Sequence, residues 1–480
     1  MRKTITPTYS VVIGVCLVML QGCMVGPKYK RPVTVIEPAD TFVNAGSYRQ
    51  DPNSVDAIDN WWLQFGDATT TDLVRRALGN NYELKAAAAR VLQAKAALDQ
   101  ARGVKLPDVS YNLARNRNKM SFAFGPERFS NISTTWSQNI SVGYILDLFG
   151  NLRHSERAAW ADLLAAGANQ QALTNSIIAT VIRARIEIAT MQKRLDIARK
   201  NTVSRKKTLQ IVQNRYNQGL VGPVDIRLAR ERLAAAQAAQ PAIELSLAIA
   251  LHALDVLLAQ RPGISSDLPH SLPDLPDLAP LNVGVPVSLL DRRPDVLAAE
   301  MSLRAANDRI GVSMANMYPN ITLSASIGRN ADTWHEMWRN ETEVYSAVMQ
   351  LAQPIFEGGQ LRAQVRASKA RYEELAAVYA SVVINAIREV EDALVSGQLL
   401  QRQLEHVKVQ FEQAVAAEQL ADQRYERGIE TILTVLETQR SRIAAEEALA
   451  VLRGNLWTTR VNIYLALGGD WTTRENDSNK

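Results

Sequence analysis

The sequence predicts a mixed α-helical and β-stranded membrane protein, written as a tandem repeat whose copies each supply a strand pair and a very long helix. Three observations predict it. Four separate blocks match a second set roughly 210 residues on, a pattern that marks internal duplication. A proline-free stretch of 67 residues exceeds what a globular domain needs, and period-two alternation with clustered aromatics is confined to short stretches beside it.

Composition narrows the class. Of 480 residues, 47% are hydrophobic and 21% charged, and the mean hydropathy is −0.13. No uninterrupted apolar run of about eighteen residues is present to cross a bilayer as a helix, which excludes a polytopic helical membrane protein. Two cysteines cannot staple a disulfide scaffold. The net charge of +5 is spread over interspersed acids and bases, so nucleic acid is not an expected partner.

Arg2 and Lys3, the apolar run from Val11 to Leu20, and Gly22 before Cys23 have the order of a lipoprotein leader. Cleavage there makes residues 1–22 the leader and leaves Cys23 to take a diacylglycerol, with palmitate-like acyl chains anchoring an extended N-terminal segment, 23–66. Met24, rather than Asp, follows the cysteine, as in lipoproteins passed to the outer membrane. An ordinary cleaved leader or an uncleaved anchor is the alternative. Apart from this covalent lipid no cofactor is expected.

The first copy, residues 67–260, opens with an Ala- and Leu-rich helix from Asp67 to about Val104, stopped by Pro107. Val109, Tyr111 and Leu113 then alternate with Ser110, Asn112 and Ala114. After a Gly/Pro loop, Ile140, Val142, Tyr144 and Leu146 alternate with Ser141, Gly143, Ile145 and Asp147. Period two means strands with two different faces. Tyr111, Phe122, Phe124, Phe129, Trp136, Tyr144 and Phe149 gather here, as aromatics do at the interfaces of a membrane barrel. Residues 261–290 are Pro-rich and predict an extended linker. The second copy, 291–467, repeats the order with strands around Ile321 to Gly328 and Val344 to Pro354, and leaves a tail at 468–480. Trp334, Trp338, Tyr345 and Phe356 mark its strands.

From Asn151 to Asn217 a continuous helix would be a rod of roughly 100 Å. Ile177, Val181, Ala184, Ile188, Met191, Leu195 and Ala198 make a seam with spacings of three and four, as do Val383, Ile387, Val390 and Leu394. An ordinary helical bundle is the alternative. Four strands per chain cannot close a barrel in lipid, where an open edge leaves backbone groups unpaired and about eight strands is the minimum. Several copies must therefore assemble, and three would supply twelve strands.

Trp61, Trp62, Phe65, Asp67, Asn80, Asn81 and Leu84 resemble the opening motif of TolC-like outer-membrane efflux proteins, in the NodT-type lipoprotein branch. Cys23, Gly26, Pro27, Tyr29 and Pro32 fit the mature N-terminus of that branch. Its most specific signature matches Asp291, Arg292, Arg293, Pro294, Asp295 and Val296, followed by Ala298, Glu300, Ala305, Ala306, Ile310 and Gly311. By physics alone this last stretch is a helix start, with Asp295 and Glu300 toward the positive helix end. The resemblance implies a homotrimer, with a twelve-stranded outer-membrane barrel continuous with a periplasmic α-helical tunnel. It also implies a role as exit duct of a tripartite exporter of drugs or other toxic small molecules, hence antibiotic resistance. The partners implied are a periplasmic adaptor and an inner-membrane pump of the resistance-nodulation-division (RND) class. With no phosphate-binding loop, energy must enter through a partner.

Two turns are expected at the periplasmic tip. Gly219 ends the first long helix, and Gly222 and Pro223 start its return helix. Gly428 ends the second, and Thr431 is placed to cap the next. The turn chemistry alone supports two helical hairpins; the resemblance implies that the adaptor docks there. Leu433, Glu437 and Arg440 share one helix face and match the family's periplasmic constriction, where a Leu ring narrows the pore and a Glu ring favours cations. Spacing alone leaves a surface Glu–Arg pair as the alternative. A lipid-anchored periplasmic coiled-coil adaptor is the rival function. No enzyme is expected: the five histidines lack metal-ligand spacing, and no nucleophile motif is present.

Overall fold

The structure is a computed structural model that describes residues 24–32, 42–44, 60–124, 127–265, 268–269, 272 and 292–469, with residues 122–124 and 127–129 described by their backbone alone. The expected leader, Cys23, most of segment 23–66, nearly all of the Pro-rich linker, Asp291 and the tail beyond Gly469 lie outside these residues, as does the loop at 125–126.

In the first copy α1 (Ala68–Asn80) and α2 (Tyr82–Gly103) precede strands β1 (Asp108–Phe124) and β2 (Glu127–Leu146), the long helix α3 (Asn151–Asn217) and the return helix α4 (Pro223–Leu257). The second copy runs α5 (Pro294–Ala315), β3 (Asn320–Ala331), β4 (Glu343–Ala352), α6 (Gln360–Glu426) and α7 (Ile432–Ala466). Both long helices have 67 residues and both return helices 35.

Four expectations need correction. The helix expected from Asp67 to Val104 is broken at Asn81, whose extended backbone and side chain restart the chain: Asn81 Oδ1 accepts from the amides of Glu83 and Leu84, while Nδ2 donates to the Leu257 carbonyl. Segment 23–66 is not wholly extended, since Trp61–Phe65 forms a 3₁₀ turn. The last strand stops at Ala352 rather than Pro354, because proline has no amide to continue a ladder. Finally, α4 contains an 18-residue window of mean hydropathy 1.3, apolar enough to span a membrane although acids and polar residues interrupt any pure run. Only 22% of that window is buried within the protein, with Ala236, Ile243, Ala250 and Leu254 among the buried residues of the helix.

The chain forms two compact units, and neither is one copy of the repeat. The first comprises Met1–Val33, Arg90–Gly167 and Ala298–Ala380; the second comprises Thr34–Ala89, Ala168–Leu297 and Ser381–Lys480.

The first unit holds a single antiparallel sheet in the order β1-β2-β3-β4. Its register puts Val109, Val142, Ala325 and Ala347 in one row, and Tyr111, Ile140, Ile327 and Tyr345 in the next on the same face. Toward the helices the same face continues with Tyr144, Leu323 and Met349, then Leu146, Ile321 and Leu351. The opposite face carries mainly Ser, Asn and Thr, with Ile145, Val344 and Val348 among them; Ser110 is bonded to Ser141 and Ser326 to Ser346. Residues 24–32 lie beside the sheet's helical end. Val25 donates its amide to Phe149, and the buried His154 bridges Asp308 through Nδ1 and the Val25 carbonyl through Nε2. A Cβ at Gly311 would fall 2.4 Å from His154 Nε2, so only glycine leaves room for the ring. Glu300 is not part of the helix-end electrostatics: it lies in the second turn of α5 and accepts a two-pronged bond from Arg31, with Tyr29 beside it. Burial against Glu300 pushes the Tyr29 phenol well above its ordinary value.

The second unit contains the main apolar core. The motif tryptophan Trp61 is fully buried and stacks on Tyr464 at 5.4 Å, and Phe65 stacks on Trp457 at 5.1 Å. These rings pack with Ile178, Val181, Ile182 and Ile188 of α3. In the expected seam Ile177, Val181, Ile188, Leu195 and Ala198 are buried, while Ala184 and Met191 are half-buried. Asp67 caps α1 by accepting from Thr69 and faces the fully buried Arg185 at 3.6 Å. The signature arginine Arg293 holds Asp295 and Glu389, each at 2.7 Å, and donates to the Ala466 carbonyl at the end of α7. Its role is thus a C-terminal helix clamp, the favourable place for a cation.

Candidate gate and helical tips

The tips of the two copies share one backbone solution. Gly219 has φ 75° and Gly428 φ 76°, in the left-handed region that glycine enters without penalty. Each donates its amide three residues back, to Tyr216 and Tyr425, and the following residue reaches five back, Leu220 to Arg215 and Ile429 to Arg424. That pattern closes a helix C-terminus. The restarts differ. Gly222 precedes Pro223 without a side-chain cap, whereas Thr431 accepts from the Thr434 amide at 3.4 Å. Glu430 accepts from the Thr431 amide and the Thr434 hydroxyl, and these bonds hold its carboxyl below the usual range.

The tips are packed together. Val212, Ile226 and Ala229 of the first copy meet Ala421, Tyr425, Ile432, Val435 and Leu436 of the second in one apolar cluster. Arg215 donates to the Tyr425 carbonyl and lies over the Tyr425 ring at 4.7 Å.

Leu433, Glu437 and Arg440 occupy the exposed face of α7. Leu433 is 62% exposed, and the Arg440 guanidinium forks onto Glu437 with bonds of 2.6 and 3.0 Å. Arg440 holds Glu437 below its ordinary carboxylate range. At the matching positions of the first copy stand Val224, Leu228 and Glu231, which line a shallow apolar depression with Pro223 and Arg227. The charged pair therefore belongs to one copy alone.

Sequence reasoning missed the polar cluster on the opposite side of α7. Gln439, 2% exposed, accepts from Arg205 of α3 at 2.5 Å and donates to Thr208 at 3.1 Å. Arg442 pairs with Glu418 of α6 and with Glu446. Burial raises the carboxyl pKa of both Glu418 and Asp422 above the ordinary range. Only the apolar pattern around Gln439 could have signalled this, because its partners lie on other helices. No group of His, Cys, Asp or Glu suited to a metal occurs among the described residues.

A sheet with one apolar and one polar face, joined to a pair of 67-residue helices that end in matched tips, defines a membrane channel built from a duplicated unit. The family model "Outer membrane efflux protein" matches residues 73–260 and 285–469, one segment in each copy. The chain belongs to that family, and is therefore a transport duct rather than an enzyme or a periplasmic adaptor. It is 31% identical over 461 residues to the probable efflux pump outer membrane protein SepC of Pseudomonas putida, covering 95% of both chains. It is 32% identical over 428 residues to the pyoverdine export outer membrane protein OpmQ of Pseudomonas aeruginosa, covering 86% of this chain and 88% of that one. Among solved structures, the outer-membrane channel OprN superposes with a TM-score of 0.86 at 30% identity, covering 94% of this chain and all of that one. The outer membrane protein VceC of Vibrio cholerae gives 0.80 at 27% identity, covering 87% of this chain.

Proposed function

We propose that the protein is the exit duct of a tripartite efflux system, passively conducting small toxic molecules delivered by an RND-type pump through a periplasmic adaptor. It works as a homotrimer: twelve strands close the barrel, and the long helices form a tunnel in the periplasm. Cleavage after residue 22 leaves Cys23 lipidated in the outer membrane, and the Pro-rich stretch 261–290 joins the repeats at 67–260 and 291–467. Leu433, Glu437 and Arg440 form the periplasmic constriction, and the turns at Gly219, Gly222, Pro223, Gly428 and Thr431 receive the adaptor.

One observation carries this reading. Within the chain, β1 and β4 each have a neighbour on one side only, and an edge in lipid would leave backbone groups unpaired at several kcal/mol each. The sheet's apolar face makes lipid its natural surroundings, so the edges must be closed by other copies. The test is to fractionate membranes of cells expressing the protein and run the outer-membrane fraction unheated on a denaturing gel. An SDS-resistant band that collapses to the monomer on heating, together with drug or solvent hypersensitivity of a deletion strain, supports the proposal. A monomer in the soluble periplasm, or unchanged susceptibility, would refute it.

A further inference from the structure

We propose that the apolar face of the first hairpin ends in a binding surface for a lipid with a phosphorylated headgroup in the external leaflet, formed by Arg115, Arg117 and Lys119 beside Trp136. This rests on the reading of the sheet as an outer-membrane barrel, in which the hairpin ends lie outside because the helices lie in the periplasm.

The register places the three cations. Arg115 pairs with Trp136, Arg117 with Thr134 and Lys119 with Ile132, and all are odd-numbered residues of β1, on the same face as Val109 and Tyr111. The ten residue steps from Leu146 to Trp136 on β2 cover about 34 Å along a strand, or about 24 Å of bilayer at a tilt of ~45°. That is the height of an apolar band, so Trp136 sits at its outer rim. Arg117 and Lys119 lie two and four residues further out, at headgroup depth.

The other face of β1 bears Asn116 and Asn118 at this level, so every cation of the strand faces away from the duct. Their side chains are exposed and make no ion pair among the described residues. Arg115 lies over the Trp136 ring at 5.2 Å. Trp334 meets Trp136 edge-on at 5.1 Å and Trp338 meets Trp334 at 5.7 Å, an aromatic rim from both copies at the same end of the sheet. Aromatics seat a lipid at its glycerol or sugar level, and a row of three cations above them matches closely spaced phosphates. The competing occupant is a neighbouring copy, whose Glu341 and Glu343 lie at the end of β4.

The test compares wild type with Arg115→Gln/Arg117→Gln/Lys119→Gln, extracted in mild detergent and incubated with bis-phosphorylated lipid A or the same lipid stripped of phosphate; bound lipid is counted by mass spectrometry. At about fivefold per cation, the variant should retain phosphorylated lipid at least tenfold less well, with no difference for the stripped lipid and no displacement by millimolar inorganic phosphate. Equal retention would overturn the proposal. So would displacement by free phosphate, which would mean a bare anion site. Loss of the oligomer with unchanged lipid per chain would assign the cations to the neighbouring copy and equally refute it. Absence of wild type from the outer-membrane fraction would instead refute the barrel reading, so the two failures are distinguishable.

Discussion

The long and return helices of the two copies match residue for residue, and the strands do not. Offsetting the chain by 209 carries α3 onto α6 and α4 onto α7 end to end, whereas β1 and β2 have 17 and 20 residues against 12 and 10 for β3 and β4. The difference has a mechanical cause. Both tips pack into one cluster, from Val212 and Ile226 to Tyr425 and Val435, so a single extra residue in one long helix would advance its tip by about 1.5 Å and turn it by about 100°. A hairpin lengthened by two residues keeps every side chain on its face. Helix length is fixed by a partner, and strand length only by parity.

The sharpest way to break this contrast is to insert one alanine in α3 after Gln213. The oligomer should be lost altogether, while a two-residue deletion from β1 near its hairpin end leaves it intact; equal tolerance of both would dissolve the distinction.

Matched positions also do unlike work. Asp255 and Tyr464 stand at the same place in the two return helices. Asp255, fully buried, accepts from the amides of Gly263, Ile264 and Ser265, where the chain leaves α4. Burial opposes its charge, but bonds from Ser265, Gly263 and Ile264 prevail and keep its pKa below the ordinary value. Asp255→Ala should cost about 2–3 kcal/mol by orphaning those amides, and Tyr464→Ala about 3–5 by removing the ring under Trp61. Thermal melts of the detergent-solubilised protein check both.

At the tip the copies differ in charge. Leu433→Ala with Glu437→Ala should raise single-channel conductance in planar bilayers, whereas Val224→Ala with Leu228→Ala should leave it unchanged; the reverse result would move the constriction to the first copy. The smallest effect is in pH. Arg440 depresses Glu437, so the charge at the proposed constriction survives as pH falls past 4.5 and is lost only below it. Arg440→Gln should move the loss of cation selectivity upward toward that value. Glu418 and Asp422 carry the opposite sign. Their raised values mean that protonation favours the fold, a contribution present at low pH and lost as pH rises through the raised values. Glu418→Gln should flatten that dependence, followed by hydrogen exchange at α6 and α7.

What was legible in the sequence follows the same division. The tips were, because Gly219, Pro223, Gly428 and Thr431 act on their own neighbours. The sheet faces were, because alternation is local. The break at Asn81 was not, since one bond that fixes it goes to Leu257 in a distant helix. Nor was the pairing of β2 with β3, which joins two copies of the repeat, or the Arg205–Gln439 contact, made between helices far apart in the chain. Of the proposed gate, the spacing of Leu433, Glu437 and Arg440 on one helix face was legible, and the structure adds that Glu437 and Arg440 are bonded to each other.

In the proposed assembly one chain, with its four-stranded sheet, carries a third of a closed barrel. Native mass spectrometry of the detergent-extracted protein tests it most directly. Three chains per particle, each bearing the mass of an acylated Cys23, is the predicted result; a stable monomer or dimer with the sheet still protected from hydrogen exchange would contradict it.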